Sequence, residues 1–170
     1  MKILTKADAS KMFDGAALDA FISGGLGRLR QVRGAYSIPP DSGKKTALAR
    51  LLSRLLFRGT AVILYVSGWG VWASSENLDL YYGYRRSLGD ARLLSEAPVH
   101  VFEAPDADAF VSILSMAFCF VWDAWAFDVH AQAFVRISHD EWLEAFTADN
   151  RSNEEFGAEL EEFGMRPLGR

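Results

Sequence analysis

Residues 60–67 read Thr-Ala-Val-Ile-Leu-Tyr-Val-Ser, apolar at six consecutive positions and β-branched at four of the eight. The run is short, β-branched and continuously apolar, so it reads as a buried strand, extended through the Gly-Trp-Gly-Val-Trp-Ala-Ser that follows. A buried strand needs a core packed over it. The chain has the material for that, because half of its 170 residues are hydrophobic and 13% are aromatic. A single domain of this size buries about 70% of its unfolded surface.

The remaining elements follow from period and punctuation. Thr5 to Phe21 has helical composition and stops at Ser-Gly-Gly-Leu-Gly, residues 23–27. Between Ser42 and Phe57, Leu48, Leu51, Leu52, Leu55 and Leu56 form one stripe, with Lys44, Lys45, Arg50, Arg54 and Arg58 largely off it. The pattern predicts a helix over 76–90 despite Gly83, a strand over 99–103, and a central helix from about Asp106 that is apolar nearly all round. Two strands are expected within 124–138 around a turn near Asp128 to His130, then a helix starting at Ser138 and an acidic helix over about 153–163. This order predicts one α+β domain whose mostly antiparallel sheet is packed by helices. Residues 1–58 are expected to be mainly helical, 59–148 to form the α+β core, and 149–170 an acidic C-terminal helix and tail.

Several motifs invite chemistry and fail on spacing. Ile38 to Thr46, Ile-Pro-Pro-Asp-Ser-Gly-Lys-Lys-Thr, runs into a helix as a phosphate-binding loop does, but it lacks the first glycine, displaces the hydroxyl by one place and follows no convincing strand. Asp41 or Ser42 capping a basic helix explains it better. Ser138, His139 and Asp140 are the residue types of a hydrolase triad, yet consecutive residues cannot form the relay. Ser138 with Glu141, and Ile137 with Trp142, instead have the spacing of a capping box and a hydrophobic staple.

His100, His130 and His139 are scattered and match no strong metal pattern, so no metal and no cofactor is expected. His100 reads as a satisfied histidine of the core or a sheet edge. Cys119, the only cysteine, sits in Met-Ala-Phe-Cys-Phe-Val-Trp and reads as a small buried hydrophobe. Asp123 would be desolvated in an internal strand, sharing a face with Trp125 and Phe127, and could then act as a general acid or base with His100 or Arg85.

Charge is distributed unevenly. Residues 1–60 carry eleven Lys and Arg against four Asp and Glu, a balance of +7, whereas residues 61–170 carry seven against eighteen, a balance of −11. The two halves can pair with each other, or the acidic half can meet a basic partner. Lys44 and Lys45 are expected to meet an acidic surface, because the macrodipole disfavours cations at a helix start. The basic segment could follow phosphates, but a pI near 5.4 and the absence of any nucleic-acid motif make nucleic acid an unfavoured partner.

The stronger signal is aromatic and charged together. Trp72 lies in Ser-Gly-Trp-Gly-Val-Trp, and Tyr82, Tyr84, Arg85 and Arg86 lie in Leu-Tyr-Tyr-Gly-Tyr-Arg-Arg. These residue types dominate binding hot spots. With the acidic Asp140, Glu141 and Glu144 they form the expected partner-binding set.

The stretches Ser-Gly-Trp-Gly-Val-Trp-Ala-Ser-Ser-Glu-Asn-Leu-Asp-Leu-Tyr-Tyr-Gly-Tyr-Arg-Arg and Phe-Val-Trp-Asp-Ala-Trp-Ala-Phe-Asp, with Val-Arg-Ile-Ser-His-Asp-Glu-Trp-Leu-Glu-Ala-Phe, give residues 60–148 their texture. In size, composition and texture the chain resembles the small α+β immunity proteins that bacteria pair with polymorphic toxins. The resemblance implies a tight, non-catalytic complex with a cognate toxin, often a nuclease, whose active site is blocked or held shut. The acidic surface could mimic phosphates before a basic toxin cleft, and the first residues lack the apolar run of a signal peptide, so a cytoplasmic protein is expected. The other readings are a small enzyme built on Asp123, and a nucleic-acid or phage-defence accessory protein acting through the basic helix at 42–58.

Overall fold

The computed structural model describes residues 1–12, 32–58, 61–69, 75–130, 132–147 and 150–168. In chain order its elements are β1 (Lys2–Leu4), α1 (Lys6–Met12), β2 (Val32–Ser37), α2 (Ser42–Leu56), β3 (Val62–Gly68), α3 (Ser75–Ser87), β4 (Val99–Phe102), a 3-10 turn (Ala104–Asp106), α4 (Ala107–Cys119), β5 (Asp123–Asp128), β6 (Ala133–Ser138), β7 (Trp142–Thr147) and α5 (Asn150–Glu162). The seven strands form one sheet, β1-β4-β3-β5-β6-β7-β2, and every neighbouring pair is antiparallel. The chain is thus an α+β domain of the expected kind. Among the described residues no helix is long and apolar enough to cross a membrane.

The expected buried strand is β3, with Val62 to Val66 all buried; it ends at Gly68, and residues 70–74 of its expected extension lie outside the described residues. Its even-numbered residues Val62, Leu64 and Val66 join the larger core with α2 and α4, while Ile63 and Tyr65 join a second cluster with Ala9 of α1. Strand β5 shows the same division by size. Ala124 and Ala126 face the α2 and α4 layer, where small side chains let helices approach, and Trp125 and Phe127 fill the other face beside Phe134 and Phe146. Those two phenylalanines are cross-strand neighbours with ring centroids 5.3 Å apart.

The basic helix α2 begins as expected, with Asp41 accepting a hydrogen bond from the Lys44 backbone N–H at 2.8 Å. The two charge halves meet along it. Lys45, buried to 7% exposure, lies 3.2 Å from Glu141, and Arg54 and Arg58 each reach 3.7 Å from Glu159 and Glu155 of α5.

Several expectations are corrected. Residues 1–58 supply both edge strands, β1 and β2, besides α1 and α2; β2 forms because its backbone pairs with β7, a partner that local sequence does not show. The helical expectation for 13–21 lies outside the described residues. The expected helix at Ser138 is the turn of the β6–β7 hairpin followed by β7, so the capping box and staple do not form. Helix α5 begins at Asn150, earlier than expected. Helix α4 is layered rather than fully buried: Asp108, Ser112 and Cys119 recur along one exposed side, so the thiol is at the surface.

Two features of this frame are testable. Val121 adopts φ +57°, directly after α4, with Trp122 N–H donating to the Ala117 carbonyl at 2.9 Å in the manner of a helix stop that ordinarily uses glycine. A β-branched residue pays there in strain, so Val121→Gly is expected to raise stability by roughly 1 kcal/mol, after the entropic cost of glycine, read as a higher urea midpoint at unchanged slope.

The second feature is a polar chain inside the core. Tyr81 hydrogen-bonds His100 Nε2, and His100 Nδ1 donates to the Leu64 carbonyl at 3.2 Å, which fixes a neutral imidazole. Burial lowers the His100 pKa from 6.5 to about 4 and raises that of Tyr81. The unfolded chain therefore takes up a proton that the folded chain refuses, and this contribution is intact above pH 6.5 and lost as pH falls towards 4. Between those limits it is expected to remove roughly 3 kcal/mol of stability. Urea titrations at pH 7 and pH 4 should show that loss, and His100→Gln should show a visibly smaller one.

Candidate functional site

Asp123 opens β5 at the end of the sheet where the β6–β7 turn lies. Gly68, its partner in β3, makes room for it: a Cβ on Gly68 would stand 2.8 Å from Asp123 Oδ2. With that space free, the carboxylate reaches the turn and grips it twice. Its Oδ1 accepts from the His139 backbone N–H at 3.0 Å, and its Oδ2 accepts from His139 Nδ1 at 2.8 Å. This hydrogen bond, with the attraction of the carboxylate charge, raises the His139 pKa above 6.5. The other imidazole nitrogen, Nε2, lies 3.5 Å from Asp140 Oδ1.

The turn itself is held locally. Ser138 Oγ accepts from Asp140 N–H at 3.2 Å, and Glu141 N–H donates to the Ser138 carbonyl at 3.1 Å. Glu141 has φ +60°, an uncommon conformation for a residue with a side chain. Its backbone carbonyl accepts from Ile38 N–H at 2.8 Å and its carboxylate meets Lys45, so the turn is tied to the start of α2 as well.

Beside the turn, the face of the sheet opposite α2 and α4 carries an aromatic and ionic stack. The register sets Trp125 opposite Arg136 and Arg136 opposite Glu144, with Trp142 opposite Ser138. The Arg136 guanidinium carbon lies 5.4 Å from the Trp125 ring centre and 5.0 Å from that of Trp142, and its Nη1 lies 3.5 Å from Glu144 Oε2. A depression of about 290 Å³ opens among Ser67, Asp123, Arg136, His139, Asp140 and Trp142.

Chemically this is a histidine oriented by a carboxylate, in contact with solvent, beside indole faces. The Ser138 hydroxyl serves the Asp140 amide and Ser67 Oγ donates to the Asp123 carbonyl at 3.3 Å, so both serines of the depression are engaged in local bonds rather than aimed at His139. The orienting carboxylate is Asp123, not the neighbouring Asp140. Asp123 was expected to be desolvated; its side chain is 37% exposed because it sits at the strand's open end.

Of the expected partner-binding residues, Asp140, Glu141 and Glu144 lie on this hairpin, in a turn and a strand rather than a helix, with Glu141 turned to Lys45 of α2 and Glu144 to Arg136 on the opposite face. Trp72 lies outside the described residues. Tyr82, Tyr84 and Arg86 are on α3, which packs towards His100 and Trp122 on the other face of the sheet. Arg86 stacks over Tyr82 at 5.9 Å, and the Tyr82 hydroxyl accepts from Leu94 N–H at 3.3 Å. Arg85 is not at the surface. It is fully buried, pairs with Asp90 at 3.3 Å and lies over the Tyr81 ring at 5.5 Å. His100 is equally buried, so neither forms a pocket with Asp123. His130 and His139 flank β6 at opposite ends, about 20 Å apart along a six-residue strand, and cannot share an ion. Among the described residues there is no group of three His, Cys, Asp or Glu side chains able to hold a metal. Sequence reasoning missed His139 as the partner of Asp123 and missed the Trp125, Arg136 and Trp142 stack; both depend on hairpin register.

The Asp123 grip can be read directly. Asp123→Asn is expected to return the His139 pKa towards the ordinary 6.5, measured by NMR titration of the imidazole. Because the folded pKa is raised, the stability that this pair contributes is present below pH 6.5 and lost as pH rises through the folded value.

No protein-family model, no curated protein and no solved structure matches the chain.

Proposed function

We propose that the protein is a non-catalytic binding protein of the immunity type, which neutralises a cognate bacterial toxin in the cytoplasm by forming a tight complex with it. The observation that carries this reading is the clamped hairpin end: Asp140, 67% exposed, projects from a turn held by Asp123, next to the Trp125, Arg136 and Trp142 stack. Rigid indoles and a guanidinium lose little freedom on binding, and exposed carboxylates beside them favour a basic partner surface. A nuclease toxin, whose cleft must attract phosphates, has such a surface. Tyr82 and Arg86 of α3 offer a second contact region of the same residue types.

The competing readings draw less from the geometry. An enzyme built on Asp123 with His100 or Arg85 would need these groups in one pocket, and they occupy different faces and environments. Nucleic-acid binding through the helix at 42–58 would have to do without Lys45, which is buried and held by Glu141.

Co-expression with the toxin encoded beside this gene tests the proposal. The protein is expected to rescue growth and to co-purify in fixed stoichiometry, with association slowing as salt rises. Trp142→Ala is expected to weaken the complex by about 2 kcal/mol or more, roughly thirtyfold, and Asp140→Lys to slow association. Absence of rescue and of any complex, or full affinity in both variants, would overturn the assignment.

A further inference from the structure

The other end of the sheet holds a cavity that the hairpin site does not use. The C-terminal end of α2, the β5–β6 turn and α5 enclose about 170 Å³ among Leu55, Leu56, Ala133 and Phe156, with Arg58 and His130 at the rim. The floor is apolar. The polar residues around it are Arg58, Asp128, His130, Gln132 and Thr147. Asp128 is committed to the turn, its two oxygens accepting from His130 N–H at 2.9 Å and Ala133 N–H at 2.6 Å. Arg58 and His130 are available. Arg58 holds Glu155 only at 3.7 Å with both side chains half exposed, a contact worth little in water, and the His130 imidazole makes no hydrogen bond among the described residues.

We infer that this cavity is a binding site for a small aromatic carboxylate, with its ring against Leu55, Leu56 and Phe156 and its carboxylate at Arg58 and His130. Size supports the ring: an apolar cavity of about 150 Å³ is known to admit benzene. Arg58 supplies the charge for the anion, since a guanidinium offers two parallel N–H donors to a carboxylate and Glu155 gives up its long contact at small cost, while the Asp128 carboxylate, which also lines the cavity, is taken up by two backbone N–H groups. Gln132, whose Nε2 donates to the His130 carbonyl at 3.0 Å, keeps the turn in place at the mouth. The site is independent of the toxin-binding reading and stands or falls separately from it.

Benzoate is the probe, followed by two-dimensional amide NMR of the full chain, with benzyl alcohol as the uncharged match. Benzoate at millimolar concentrations is expected to give saturable shifts at Leu55, Gln132, Ala133 and Phe156 and none at Asp123 or His139. Arg58→Gln, at an exposed position that should not disturb folding, is expected to weaken benzoate by about tenfold and to leave benzyl alcohol unchanged. Ala133→Leu, which fills the cavity, is expected to abolish both. No saturable shift with benzoate, equal binding of the two probes, or unchanged benzoate affinity in Arg58→Gln would each overturn the inference.

Discussion

Strand β5, Asp-Ala-Trp-Ala-Phe-Asp, is the middle strand of the seven, and the physical demands on it organise the rest. Its alanines set how closely the α2 and α4 layer approaches, and its aromatic residues fill the opposite face. At each end an aspartate binds a turn through backbone N–H groups, Asp123 at the β6–β7 turn and Asp128 at the β5–β6 turn. A carboxylate that accepts such bonds holds its loop far more firmly than a neutral side chain could. The two candidate binding regions lie at these two ends because that is where β5 stops being core and becomes anchor.

The uneven charge of the chain is met in part within the fold. Lys45 sits in the first turn of α2, against the helix dipole, and Glu141 from the hairpin compensates it. Arg54 and Arg58 then meet α5 at the other end of the same helix. Of these contacts the Lys45 and Glu141 pair matters most to the site, because the buried amine needs its carboxylate, and the carboxylate belongs to the turn that carries His139 and Asp140. The α2 layer and the hairpin therefore restrain each other.

Much of this was legible in the sequence for a local reason. The β-branched run of β3, the leucine stripe of α2, the helices α3 and α4 and the β5–β6 hairpin each carry their own period or punctuation. What was hidden depends on pairing across the sheet. Trp-Leu-Glu-Ala-Phe-Thr fits a short helix or a strand equally by pattern, and β6 decides the matter by offering it a partner edge. The Asp123 and His139 pair lies sixteen residues apart in sequence. A hairpin centred near residue 130 brings those positions side by side, but the register needed to see it was fixed by no turn motif. Arg85 was placed in the partner-binding set because arginine beside tyrosines is a hot-spot composition; in the fold it is buried, paired with Asp90 and lying over the Tyr81 ring.

Strain collects at the end of the molecule that carries the hairpin site. Val121 and Glu141 are the positive-φ residues other than glycine among those described, one shortly before Asp123 and the other closing the turn that Asp123 holds. Each conformation costs about 1 kcal/mol or more and persists only where the surroundings fix it. Here they do: the Trp122 bond to Ala117 fixes one, and the bonds of Glu141 to Ser138, Ile38 and Lys45 fix the other. A turn restrained by so many independent contacts has little conformational freedom left to lose, and under the proposed binding role that restraint would lower the cost of forming a complex, an advantage a looser turn of the same composition would lack.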